Sequence, residues 1–230
     1  MSTMAWLTLL IAELAAIYTI GRYLSSALLS WTLRQSAPAR MLGWALMAPG
    51  TFLHELSHAL VVICLGGRIS AFVPFRPRQE EDRVQLGYVE HSGVRLGPLG
   101  GAMVGMAPLV GIPAAIWGLG LLMVPISGSP LELLAWVADH PLSLGAAWLL
   151  ISIPLSLGAL PSASDHRDLP LAGILLAVLL AGLYFLGALT SLSFLEMPLT
   201  GWAQLLIFPA VVSLIGFVPL LRRFRLRQPK

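Results

Sequence analysis

A single cysteine, Cys64, occurs in 230 residues, which excludes an internal disulfide and any zinc site assembled from several thiolates. Free cysteine packs as a small apolar residue, so Cys64 is expected in the core. Charge is also scarce. Charged residues make up 11% of the chain and hydrophobic ones 57%, against about 25% charged in soluble domains. With a mean hydropathy of +0.83, an ordinary soluble domain is excluded. The first apolar stretch lacks a basic leader and a small-residue cleavage site, so an anchor is expected there rather than a removed signal peptide. No solenoid repeat, no low-complexity tract and no polar stretch long enough for its own core is visible. The arginines are not interleaved with aromatics on a polar domain, so no nucleic-acid partner is expected.

What is there is apolar sequence in runs near or above the ~20 residues that cross a bilayer. Candidate spans are residues 5–20, 41–65, 98–124, 141–160, 171–194 and 202–221. The expectation is an all-α polytopic membrane protein, one integral domain over 1–230, with about six transmembrane helices. Its core would be about 41–168, with peripheral spans in 5–34 and 171–221; residues 22–34 would lie along the interface as an amphipathic helix. An even number of spans puts both termini on one side. The basic tail Arg222, Arg223, Arg225, Arg227 and Lys230 assigns that side to the cytoplasm. The loop after the second span, with Arg68, Arg76, Arg78, Arg83 and Arg95, and Arg167 after the fourth then fall inside too; Arg22, Arg34 and Arg40 disagree. The cell membrane of a prokaryote is the expected location, and the net charge of +3 suits an anionic lipid surface.

The longest polar segment is 68–96. Gly66 and Gly67 should terminate the second span. Val84, Leu86 and Tyr88 then alternate with Gln85, Gly87 and Val89, the pattern of a half-exposed strand. A small cytoplasmic β-hairpin is predicted, with Glu80, Glu81, Asp82 and Arg83 as a solvated turn. The third span is glycine-rich, and Gly101 and Gly105 form a G-x-x-x-G suited to close helix packing in lipid. Pro49 and Gly50 should kink or restart the second span, admitting water.

Within the second span, His54, Glu55, Leu56, Ser57 and His58 spell H-E-x-x-H. Residues four apart share a helix face, so both imidazoles can reach one metal ion, with Glu55 about a quarter turn away. Zinc accepts such ligands and keeps a position for water in catalytic sites, and Glu55 can take that water's proton. H-E-x-x-H alone arises by chance in soluble chains. Three ionisable groups in metal-ligand order inside a span are hard to explain as packing, with satisfied core histidines as the alternative. Zinc suits the ligands, although other divalent ions would bind them. A third ligand is expected from Asp165, His166 or Asp168, after the fourth span. Asp165 is preferred, because Pro161 ends the preceding helix and Ser162 and Ser164 can orient its carboxylate. An ordinary loop with capping aspartates is the alternative.

These residues resemble the site-2 protease family of intramembrane zinc metallopeptidases. The resemblance lies in "FLHELSHAL" within an apolar helix, "GGRISAF" behind it, and "LPSASD" near a later span. It covers about 120 central residues. It implies zinc ligation by His54, His58 and Asp165, Glu55 as general base, and hydrolysis of peptide bonds in membrane protein or peptide substrates. The chain would be a compact, divergent member. Ser164 and His166 flank Asp165 where the family has leucine and glycine, and no PDZ domain fits between the spans.

A helical substrate must unwind to be cut, and an exposed edge of the 68–96 hairpin could receive it by strand addition. Glu13 in the first span is expected to pair with another span. Glu90 and His91 should lie at an exposed strand end, and Asp139 and His140 are assigned no catalytic role. Two rivals remain: a non-proteolytic, metal-stabilised scaffold that binds membrane proteins, and a metal transporter. Five histidines and one cysteine provide too few ligands for a transport path.

Overall fold

A computed structural model describes residues 29–80, 83–124, 130–140, 144–159 and 182. Helix α1 spans Ala37–Cys64. Proline in its first turn is tolerated because the amide there has no intrahelical partner. Its end is built by the predicted glycines. Gly66 takes φ +71°, its N–H bonds Ile63 O, and the Gly67 N–H reaches back to Val62 O, the paired bonds of a Schellman cap. The helix runs through Pro49 without a restart.

Two small antiparallel sheets follow. Strand β1 (Arg68–Val73) pairs with β4 (Tyr88–Ser92), and β2 (Arg78–Glu80) with β3 (Arg83–Gln85). Ser70 bulges out of the first pairing, between Ile69↔His91 and Ala71↔Glu90. The hairpin expected in 68–96 is therefore a pair of nested ladders. The strand read continuously through Val84, Leu86 and Tyr88 is broken at Leu86–Gly87, where the chain turns over α1.

Helix α2 spans Pro98–Met123, α3 Pro130–Asp139 and α4 Leu144–Gly158. Helices α1 and α2 are long and apolar enough to cross a membrane. Their 28 and 26 residues extend about 42 and 39 Å at 1.5 Å per residue, against a hydrocarbon core of about 30 Å. The fourth expected span has 15 helical residues, about 22 Å. Helix α3 was not expected; a ten-residue helix has too few turns to stand out from a loop by periodicity alone. Spans 5–20, 171–194 and 202–221, with Glu13, lie outside the described residues apart from Gly182.

The distribution of side chains is reversed from that of a water-soluble helix. On α1, Thr51, His54, Glu55, Ser57 and His58 are buried, while Met41, Leu42, Leu46, Phe52, Leu60 and Ile63 are exposed. A surface of this kind is matched by lipid tails, and it leaves small and polar groups to make the interhelical contacts. Cys64 is exposed, which corrects its expected place in the core: it lies next to Ile63 on the outer face of the last turn.

Helices α2 and α4 flank α1. The apolar core between α2, α3 and α4 centres on Ile112, Ile116, Leu133 and Trp148. Trp148 donates its indole N–H to Ile116 O at 2.8 Å, so the one polar atom of that buried ring is satisfied within the protein. Close approaches occur at Gly100, Gly111 and Gly120, whereas Gly101 and Gly105 of the expected G-x-x-x-G are half-buried. The tightest crossing is α1 on α4. A Cβ on Gly50 would lie 2.5 Å from Pro154 O and 2.8 Å from Gly158 N, so backbone meets backbone. Gly50 therefore serves the crossing. Gly50→Ala is expected to cost about 1–3 kcal/mol through overpacking, read as a lower thermal midpoint in detergent; an unchanged midpoint would show that the crossing is looser than this.

Candidate metal centre

The three motif residues leave α1 toward three different neighbours. His54 faces α4, and its Nδ1 is 2.6 Å from Gly158 O. His58 faces α2, with Nδ1 2.7 Å from Val104 O. Glu55, a quarter turn from His54, lies under the connection between β3 and β4. A Cβ on Gly87 would be 2.9 Å from Glu55 Cγ and 2.8 Å from Val73 O. All three side chains are at most 7% exposed, which places ionisable groups where they are retained only with partners.

These bonds determine the tautomers. A carbonyl oxygen only accepts, so each Nδ1 must carry the proton and donate. The two Nε2 atoms lie 3.1 Å apart, within hydrogen-bond distance; two neutral Nδ1–H rings would each present a lone pair there, whereas a proton on one Nε2 makes the contact a hydrogen bond between the rings. The rings meet edge to face, with centroids 4.7 Å apart and planes at 81°. Two lone pairs pointed at each other repel unless a cation, either a proton or a metal ion, lies between them. Two nitrogens at about 2.0–2.1 Å from a tetrahedral zinc would be about 3.3–3.4 Å apart, close to the observed separation. Nδ1–H bonded to a backbone carbonyl, leaving Nε2 for the metal, is also the usual outer support of a metal-binding imidazole. Two imidazole nitrogens so arranged could serve as two of the ligands of a divalent ion.

Both carbonyls come from positions where the helix cannot use them. Gly158 is the last residue of α4, among the carbonyls that a helix end leaves without an intrahelical donor. Val104 lies four residues before Pro108, inside α2, and proline has no N–H to offer it. Sequence reasoning did not identify Val104 or Gly158, nor the close contacts made by Gly50 and Gly87. A proline inside an apolar span was the available signal for Val104, because it marks a carbonyl in search of a donor. Nothing local to Gly87 pointed to Glu55.

The third ligand is a different matter. Among the described residues, no group of three His, Cys, Asp or Glu side chains is placed to hold a metal. Asp165, His166 and Asp168 lie outside the described residues. Glu90 and His91 are exposed at the end of β4, as expected of a strand end. Asp139 and His140 are exposed at the end of α3, where the His140 ring stacks on Trp136 at 4.3 Å. Four buried hydroxyls are satisfied within their own helices: Thr51 donates to Met47 O, Ser57 to Leu53 O, Ser152 to Trp148 O and Ser156 to Ser152 O; the buried Thr32 hydroxyl has no hydrogen-bond partner among the described residues.

No family model matches the chain, and no curated protein or solved structure matches it.

Gly87→Ala places a methyl group against two backbone carbonyls and the Glu55 side chain, so the 73–88 segment must lift. Faster amide exchange is expected there, equivalent to about 1–3 kcal/mol of easier opening, with helix α2 unaffected. Unchanged exchange across 73–88 would mean that Glu55 yields instead of the backbone.

Proposed function

We propose that this chain is a membrane-embedded zinc metallopeptidase of the site-2 protease kind, cutting membrane protein or peptide substrates. In this reading about six spans surround the site, both termini are cytoplasmic, and His54, His58 and Asp165 hold Zn2+. The observation that carries it is the approach of the two Nε2 atoms to 3.1 Å, with each Nδ1 at hydrogen-bond distance from a carbonyl. Asp165 is supported by chain connectivity. The Gly158 carbonyl is itself on His54, and the seven residues from there to Asp165 reach up to about 25 Å when extended, far enough to return to the same ion.

Zinc bound there supplies Lewis-acid polarisation of a carbonyl and makes water acidic enough to serve as a nucleophile near neutral pH. Glu55 is the proton carrier of the chain. Its carboxylate takes the proton of the attacking water and delivers it to the departing amine nitrogen, so that the C–N bond breaks with the amine leaving neutral. Burial serves this role by excluding bulk water. Each strand pairs with one partner among the described residues, so β1 and β4 each keep an edge on which an unwound substrate could add as a strand.

Glu55→Gln is the direct test. Co-expressed with single-span membrane proteins, the native chain should release fragments, while the Glu55→Gln protein should retain its zinc and cut at least about 10²-fold more slowly. Cutting at the native rate by a zinc-loaded Glu55→Gln protein would remove Glu55 from the reaction. Asp165→Ala is expected to weaken zinc binding while His166→Ala and Asp168→Ala retain it; the opposite pattern reassigns the third ligand.

The burial of all three motif residues also suits a metal-stabilised scaffold that binds membrane proteins without cutting them. That reading has no use for Glu55 as a proton carrier. Glu55→Gln would then leave partner binding unchanged, with no fragments from either protein.

A further inference from the structure

We infer that Pro108 is a positioning residue for the metal ligand His58, acting through the carbonyl of Val104. The inference rests on the metal-site reading above and concerns a residue outside the H-E-x-x-H motif, on a different helix.

In an unbroken α-helix the N–H of residue 108 would bond Val104 O. Proline removes that donor, and inside a lipid-facing fold an unsatisfied carbonyl costs several kcal/mol. Val104 and Pro108 are both buried, so water is a poor substitute. His58 Nδ1, 2.7 Å from Val104 O, fills the place of the missing amide. The benefit runs both ways. The helix gains a donor, and the imidazole is held as the Nδ1–H tautomer with Nε2 turned toward His54 Nε2. Proline also tilts the freed carbonyl away from the helix axis, the direction in which a neighbouring helix can reach it. Restoring an N–H at 108 would draw Val104 O back along α2 and into competition with the ring, loosening the orientation of the ligand.

Helix α2 contains its own control. Pro113 is buried in the same helix and by the same logic frees Leu109 O, not Val104 O. Pro113→Ala therefore changes helix regularity without adding a competitor for the His58 bond.

The test is Co2+ titration of the metal-free full-length protein in detergent, read by the visible absorption of the bound ion, for the native chain, Pro108→Ala and Pro113→Ala. Loss of outer support for a metal-binding histidine weakens affinity about 10–100-fold. That loss is expected for Pro108→Ala, with Pro113→Ala binding as the native chain does. Equal affinity of Pro108→Ala and native protein overturns the inference while leaving the metal site intact; so does an equal weakening by both substitutions, which marks a general effect of helix geometry. A folded native chain that takes up no cobalt overturns the site itself and the inference with it. Should Pro108→Ala not fold, nitrogen-15 NMR of the native histidines decides: a protonated, hydrogen-bonded Nδ1 on His58 is expected, and a proton on Nε2 with a bare Nδ1 contradicts the assignment.

Discussion

A buried polar group must find its partner within the protein, and the structure around α1 follows from that constraint. Two imidazoles and a carboxylate sit in the middle of a helix whose outer face is leucine, isoleucine and phenylalanine. All three are at most 7% exposed, so partners within the protein must replace most of their hydration. The partners for the imidazoles are backbone carbonyls that their own helices have left over, one at the end of α4 and one created by a proline in α2. These bonds offset the burial of the rings, and they also turn both Nε2 lone pairs toward a common point.

The same constraint explains where glycine is needed. Gly158 can bring its carbonyl to His54 because Gly50, one turn earlier on α1, lets the two backbones touch. Gly87 lets the β3–β4 connection pass directly over Glu55. With a side chain at either place, the neighbouring element would stand off, and a buried ionisable group would lose its surroundings. The helix crossing, the break in the strand pattern and the chemistry of the motif are thus consequences of one packing arrangement.

The parts legible in the sequence were those with a local cause. Apolar runs marked α1 and α2, and the Gly66–Gly67 pair marked the end of α1. The four-residue spacing of His54 and His58 put both rings on one face. The continuous strand read over 84–89 is broken at Leu86–Gly87, where the chain passes against Glu55, distant in sequence. Cys64 was misplaced for a related reason: apolar residues around it predicted a core, but in lipid the apolar face is the outer one. Helix α3 was too short to show its periodicity. The donors to Val104 and Gly158 required knowing which helices touch, although Pro108 already announced that a carbonyl four residues earlier lacked its usual amide.

The central claim is that His54 and His58 together bind a metal through Nε2. Its most direct test is X-ray absorption at the zinc edge, with metal stoichiometry, on full-length protein purified without a histidine tag or chelator. The account predicts one zinc per chain, with two imidazole nitrogens among its nearest neighbours at about 2.0–2.1 Å. A folded protein that carries no metal and takes up none when zinc is added, or one whose zinc has no imidazole in its coordination shell, would contradict it.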